Sequence, residues 1–361
     1  MTGLFEPLTA VLAIPALAAA LLVALPGYRL TATLNVIATF LTFLAAVSLF
    51  FGRPRPTPYL LVDDLNNVFI VLTTFVGFTT SVFSASYIGH ELDIGRLTPR
   101  FLRFYHAMYQ LLMFAMNLAL VANNIGMMWV AIELATLTTV LMVGIYRTHE
   151  ALEAAWKYFI LGSVGIALAL FGTILVYMAA RPVLGEGLNA MVWTVLVTRA
   201  GAFDPALLNV AFVFLLLGYG TKVGLAPLHA WLPDAHAEGP TPISAVLSGL
   251  LLNVAALCLA AVQDAARTQS GRARAGSAHG DHGAHFARVC GVHALPPARH
   301  QAHVRLFVDR AYGHHYLCLR HGRPACELRP PPAHDHAFAD KVGDLFRGRS
   351  HCPGQGDPAH R

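Results

Sequence analysis

The amino-acid sequence predicts an all-α integral membrane protein, and two observations carry that prediction. Apolar stretches of about 20 residues follow one another almost without pause through residues 1–263; about 20 residues is what a helix rising ~1.5 Å per residue needs to cross a ~30 Å hydrocarbon layer. Only 12 % of the 361 residues are charged, 56 % are hydrophobic, and the mean hydropathy is +0.55, against roughly 25 % charged in an ordinary soluble domain. This composition excludes a disordered chain, a collagen-like fibre and a disulfide-stapled secreted module. Lipid offers no partner for backbone N–H and C=O groups, so helices are the economical reading. A barrel would alternate polar and apolar residues, and that alternation is absent.

Eight spans are expected, near residues 8–25, 30–52, 66–88, 106–123, 125–146, 157–179, 206–227 and 242–262. The first carries Glu6 at its start and no Lys or Arg within residues 1–25, so it lacks the basic region of a secretory signal and is expected to remain as a span. Short linkers join the spans, with two exceptions. The linker 90–104 (HELDIGRLTPRFLRF) is charged and turn-bearing, and the linker 181–205 contains LNAMVWTVLVTRA, an apolar run too short to span that reads as an interfacial helix. An N-terminus outside leaves Arg29, Arg96, Arg100, Arg103, Arg147 and Lys157 inside, against Arg53, Arg55, Arg181 and Arg199 outside. That excess favours the N-out orientation.

Within the spans two charges stand out, because a charge near the bilayer centre costs about 2.5–3.5 kcal/mol on insertion scales. Glu133, in NNIGMMWVAIELATLTTVLMVGIY, falls near mid-depth, and Lys222, in VFLLLGYGTKVGLAPLHAWLPDAH, sits where Gly218, Gly220, Gly224 and Pro227 are expected to weaken or break the helix. A broken helix is tolerated at membrane depth only where it lines a cavity or is covered by protein, and its freed backbone groups can hold water or ions. Two readings of Glu133 and Lys222 stay open. They form a structural ion pair locking two helices, or a proton site in which moving the carboxylate lets the desolvated ammonium release its proton. His229, Asp234, His236, Glu238 and Pro240 follow in the expected loop after the break, where such a cluster also reads as a solvated face. Lys157, with Glu153 one turn earlier, is either part of the proton path or a helix-start pair reaching to the interface. No metal-ligand spacing, glycine-rich cofactor cradle or nucleophile constellation is visible, so no catalysis is expected in this chain itself.

These residues carry a resemblance. NNIGMMWVAIELATL, LEAAWKYFILGSVGIALALFGTILVY and GYGTKVGLAPLHAWLPDAHAEGPTPISAVLSGLLLNV resemble the antiporter-like membrane subunits of respiratory complex I, Mrp cation/proton antiporters and membrane-bound hydrogenases, and most of all the hydrogenase-4 component F type of the formate hydrogenlyase group. The resemblance covers nearly all of residues 1–255. It implies a multi-pass protein of the bacterial cytoplasmic membrane whose fifth-helix glutamate, Glu133, pairs with the lysine of a broken seventh helix, Lys222. It also implies membrane and peripheral partner subunits holding a NiFe centre and iron–sulfur clusters, and protons, or Na⁺, as the moving ions. Ser248 and Asn253 stand where relatives continue the path with His or Lys, a departure that favours the hydrogenase branch. The alternatives are a subunit of an NADH:quinone oxidoreductase or Mrp-type antiporter, a non-transporting scaffold, and an inactive truncated product.

The net charge of +5 comes from the other end of the chain. Residues 264–361 hold 14 of the 25 Lys and Arg, 13 of the 18 His and 4 of the 5 Cys, so the basic balance is no sign of a nucleic-acid partner. The tail 263–361 has neither helical nor strand period and no repeated CxxC or HxxxH spacing, and is expected to be of low order. A single-frame slip near Ala255 or Ala256 accounts for it. If each tail codon is taken as the last base of one codon and the first two of the next, residues 299–315 (RHQAHVRLFVDRAYGHH) become compatible with the family's next segment. Ala333–Arg361 then resembles its second broken-helix region, Pro330 fits less well than its neighbours, and Lys341 carries no role. The resemblance implies a second, inverted set of helices that this reading leaves out of the chain.

Overall fold

The computed structural model describes residues 6–258, apart from Pro26, Arg53, Thr98, Ala226, Pro227, Leu252, Asn253, Ala256 and Leu257, and for Pro99–Arg103 the backbone alone. The described helices lie in the first of two units, Met1–Ala294; the second, Leu295–Arg361, and the whole expected tail 263–361 lie outside the described residues.

Ten α-helices make up the described chain: α1 (Pro7–Ala24), α2 (Tyr28–Ser48), α3 (Asp64–Asp93), α4 (Pro99–Val121), α5 (Ile125–Val143), α6 (His149–Leu184), α7 (Trp193–Arg199), α8 (Pro205–Val223), α9 (Trp231–Glu238) and α10 (Thr241–Val246). Seven of them, α1 to α6 and α8, are long and apolar enough to span a membrane. The protein is an all-α, multi-pass membrane protein. The expected eighth span begins as α10, passes into a π-helical turn at Leu247–Leu251, and reaches positions outside the described residues before residue 262.

Polar residues set several boundaries. Asp63 accepts from Asn66 N at 2.6 Å, Asn124 from Gly126 N at 3.0 Å, Thr148 from Ala151 N at 3.1 Å and Asp204 from Ala206 N at 2.9 Å. Each satisfies an N–H that the first helical turn leaves orphaned. The linker expected over 90–104 is mostly helix. α3 runs to Asp93 and α4 starts at Pro99, so Glu91 and Asp93 fall in the last turn of α3, Arg100 and Arg103 in the first turns of α4, and residues 94–98, Arg96 among them, connect the two. Similarly, α6 starts eight residues before the expected span, because its first nine residues carry His149, Glu150, Glu153 and Lys157 on a capped, polar stem. At 36 residues, or about 54 Å, it outreaches the hydrocarbon layer.

Successive spans are antiparallel neighbours: α1 packs on α2 and α4, α2 on α3, α4 on α5, α5 on α6 and α6 on α8. The interfacial helix expected in 181–205 is α7, flanked by short 3₁₀ turns at Leu188–Met191 and Ala200–Ala202. Asn123, between α4 and α5, ties it down. Its backbone O accepts from Trp193 N at 2.7 Å, its Oδ1 from Thr194 N at 3.2 Å, and its Nδ2 donates to Thr57 O at 2.8 Å. Leu41, Phe75, Ile160, Val164 and Phe171 are among the large apolar side chains left exposed on outward faces, the pattern of helices whose outer surface meets lipid.

Candidate functional site

The site is built on the seam between α6 and α8, where small residues let two backbones approach closely. A Cβ placed on Gly165 would meet Thr221 Cβ at 2.7 Å, one on Gly172 would meet Leu215 Cγ at 2.7 Å, and one on Gly218 would meet Ala169 N at 2.6 Å and Gly165 O at 2.7 Å. Gly218 therefore packs where the sequence expected it to break the helix, and α8 continues through Gly218 and Gly220 to Val223.

The break comes at Gly224, with φ +77° and ψ 38° in the left-handed region, where a Cβ would also collide with Leu232. Leu225 N donates to Gly220 O at 2.9 Å and Gly224 N to Thr221 O at 3.3 Å, the paired bonds of a Schellman cap. Thr221 O also accepts from Trp231 Nε1 at 2.8 Å. Those two freed carbonyls are thus engaged by protein. Pro227, expected to contribute to the break, lies outside the described residues.

Lys222, on the last turn of α8, is 0 % exposed. Its ammonium lies across α6 in the notch left by Gly162, whose built Cβ would come within 2.7 Å of Nζ and 3.3 Å of Thr136 Cγ2 on α5. It stands 5.6 Å from the centre of the Tyr158 ring. Tyr158 is itself fixed on two sides, by a 2.8 Å hydrogen bond to Thr139 Oγ1 of α5 and by a stack on Trp231 of α9 with centroids 4.3 Å apart. Glu133, one turn before Thr136 on α5, is half-buried, and its charge and that of Lys222 act on each other. No hydrogen bond from the protein reaches Lys222 Nζ or Glu133 Oε2, and no contact within 4.0 Å joins the two among the described residues. A direct locking ion pair, one of the two readings of the sequence, is not what the geometry shows.

The other expected residues lie on the capped start of α6 and in the chain that follows α8. Asp234 and Glu238, expected in a loop, lie on α9. Lys157 Nζ pairs with Glu153 Oε1 at 2.7 Å and with Asp234 Oδ2 at 2.9 Å, all three side chains being substantially exposed. The helix-start pair is therefore present, extended by a carboxylate 77 residues away in sequence. His236 Nδ1 meets Ser244 Oγ at 2.5 Å, and burial holds its ring below the usual histidine range. His229 is exposed, Pro240 is buried at the start of α10, and Ser248 is exposed with its hydroxyl donating to Ser244 O at 3.1 Å. Asn253 lies outside the described residues. Among the described residues no group of three or more His, Cys, Asp and Glu side chains is placed to hold a metal ion.

Sequence reasoning missed Gly162, Thr136, Tyr158 and Trp231. A faint signal existed for Gly162 and Gly165 in the small residues LGSVGIALALFG of the sixth span, at the spacing of a close helix crossing.

Residues 122–274 match the family model described as NADH:quinone oxidoreductase/Mrp antiporter, transmembrane. The chain is 63 % identical over 246 residues to the hydrogenase-4 component F homolog of Methylacidiphilum infernorum, covering 68 % of this chain and 52 % of that relative. It thus spans about half the length of the curated relatives it matches. In fold it is similar to a chain of the membrane-bound sulfane sulfur reductase, an archaeal respiratory membrane complex, with TM-score 0.61, 22 % identity and coverage of 71 % of this chain and 52 % of the other. It is likewise similar to a chain of the Mrp complex from a Dietzia species, with TM-score 0.60, 20 % identity and coverage of 76 % and 51 %.

Proposed function

From a chain that belongs to the antiporter-like membrane proteins of the complex I, Mrp and membrane-bound hydrogenase superfamily, we infer that residues 1–262 form a proton-conducting domain in a multisubunit hydrogenase. Electron transfer, with its NiFe and iron–sulfur centres, belongs on this reading to partner subunits. The observation that carries the proposal is Lys222: fully buried, without a direct hydrogen-bond partner among the described residues, and within the field of the Glu133 carboxylate. A buried charge left this way costs several kcal/mol, roughly, unless something polar meets it, and bridging water between Lys222 and Glu133 is the simplest group that fits.

The chemistry follows from desolvation. With the Glu133 carboxylate turned toward the notch, the ammonium keeps its proton; with it turned away, the low-dielectric surroundings favour the neutral amine and the proton leaves through the bridging water. A conformational change driven by redox chemistry elsewhere would need only to move α5 relative to α8 to drive that cycle. Gly162 gives Lys222 room beside α6, while Tyr158, held by Thr139 and Trp231, forms a fixed wall. The 63 % identity to a hydrogenase-4 component F homolog favours a hydrogenase over a quinone-linked or Mrp-type assembly, where the same pair would serve.

The test is Glu133→Gln and Lys222→Ala in a frame-corrected, full-length version, with proton translocation measured in inverted membrane vesicles. Loss of translocation in complexes that assemble normally is expected. Unchanged translocation in both variants, with normal assembly, would make the chain a scaffold instead.

A further inference from the structure

The first four helices contain a second polar interior that the Glu133–Lys222 site does not use. On α4, His106, Gln110 and Asn117 are each 0 % exposed and lie at spacings of four and seven residues, which put them on one face of the helix. Asn35 on α2 meets that face, its Oδ1 accepting from Gln110 Nε2 at 2.8 Å. α3 adds Ser84, bonded to Tyr105 of α4 at 2.7 Å, and Ser81, bonded to Thr39 of α2 at 2.7 Å. The buried polar face of α3 runs from Asn67 to Glu91, 24 residues or about 36 Å, the full depth of a bilayer.

Such bonds hold helices together in lipid, but that role leaves no reason for the surplus. Among the described residues, both ring nitrogens of His106, both amide atoms of Asn67 and of Asn117, Asn35 Nδ2 and Gln110 Oε1 are buried without a hydrogen bond from the protein, and Glu91 Oε2, also without one, has Arg96 Nη1 3.7 Å away. Buried polar atoms are almost always satisfied, by water where protein does not serve. Here they recur at successive depths, from Asn67 near the capped start of α3 to Glu91 beside Arg96 at its other end.

We propose that a file of water between α2, α3 and α4 forms a second proton-carrying lane, separate from Glu133 and Lys222, with His106 as its protonatable member. One ring nitrogen of His106 takes a proton from water on one side and the other releases one to water on the far side, so the ring's charge is restored at each passage. The ionisable groups that face the His106 ring are Tyr28 on α2, at 5.9 Å between ring centroids, and Tyr105 on α4, at 5.3 Å; one step further out, Tyr109 meets Tyr105, Asp93 acts on Tyr28, and Glu91 pairs with Arg96. α1, which also packs on α4, carries no ionisable side chain, and the Glu133 of α5 has Lys222 as its charged neighbour.

The proposal stands apart from the Glu133–Lys222 reading, and either can fail without the other. Hydroxyl-radical footprinting of the full chain in lipid, with H₂¹⁸O as the probe, reads water directly. Tyr109 and Met113, each one turn from His106 or Gln110 on α4 and both against Gly77 of α3, are expected to take up ¹⁸O, Met113 severalfold faster than the equally buried Met142 of α5; Gln110→Leu is expected to abolish the difference. In a Lys222→Ala background, His106→Leu and His106→Gln are both expected to lower the residual proton flux into vesicles, while His106→Gln keeps the labelling. Labelling of Met113 no faster than Met142 overturns the lane, and labelling with flux unmoved by either His106 variant reduces it to a wet helix contact. The footprint of the unsubstituted chain decides the first point even if the variants fail to fold.

Discussion

Replacing Gly162 and Gly218 one at a time by alanine separates what the α6–α8 seam does for stability from what it does for Lys222. Alanine in a helix interior gains about 0.5–1 kcal/mol over glycine in conformational entropy. At Gly218 the added methyl would meet Ala169 N at 2.6 Å and Gly165 O at 2.7 Å. These are backbone atoms that cannot yield without parting two helices, and overpacking of this kind costs about 1–3 kcal/mol, so Gly218→Ala is expected to be less stable. At Gly162 the same methyl meets Lys222 Nζ at 2.7 Å and Thr136 Cγ2 at 3.3 Å. The first is the tip of a four-carbon stem, which can move by about 0.7 Å to reach a normal ~3.4 Å contact. Gly162→Ala should therefore keep its stability within about 1 kcal/mol, the entropy gain offsetting the displacement. Its cost falls on function, since a misplacement of about 1 Å at a reacting group can lower a rate on the order of 100-fold. Thermal unfolding in lipid nanodiscs together with proton translocation by the assembled complex reads both quantities. A Gly162→Ala variant that translocates at the rate of the unsubstituted protein, with stability intact, would refute the reasoning that room for Lys222 is what Gly162 supplies.

Three further outcomes are expected. Lys157→Ala, which removes an exposed cluster with Glu153 and Asp234, should change stability by no more than about 1 kcal/mol because solvent screens such pairs; a larger loss in thermal unfolding would mean that the cluster is covered in the assembled protein. Asn123→Ala removes the bonds of a buried amide to Thr57 O and Thr194 N, of which Thr57 is exposed and Thr194 partly so, and should destabilise by about 0.5–1.5 kcal/mol, read as earlier proteolysis in the 181–205 segment. Sequencing the encoding DNA across codons 250–262 should reveal a one-base insertion or deletion relative to the relatives' genes near the codons of Ala255 and Ala256; an uninterrupted frame through that region removes the proposed slip.

The spans were legible because their signal is compositional: twenty apolar residues in a row admit one structure in lipid. Glu133 and Lys222 were legible for the converse reason, as charges where few are tolerated. What the sequence could not show was what surrounds them. Gly162, Thr136 and Tyr158 lie between 60 and 86 residues before Lys222, and nothing local announces that the ammonium crosses α6. Gly218 looked like a breaker because glycine lowers helix propensity, whereas in a close crossing the missing side chain is what permits the contact. Asp234 looked like a loop residue because Pro233 precedes it, yet proline is tolerated in a first helical turn, and α9 begins at Trp231. His106 was overlooked as the first residue of the expected span 106–123. With α4 starting at Pro99, it lies two turns inside.

One short helix, α9, bears both the indole that stacks on Tyr158 and, three positions later, the carboxylate that grips Lys157. The exposed rim of the protein and its buried interior are therefore not mechanically independent. Whatever tugs on that rim, whether a docked neighbour or a change in local salt, pulls the same rigid lever whose other arm presses on the wall beside the hidden amine.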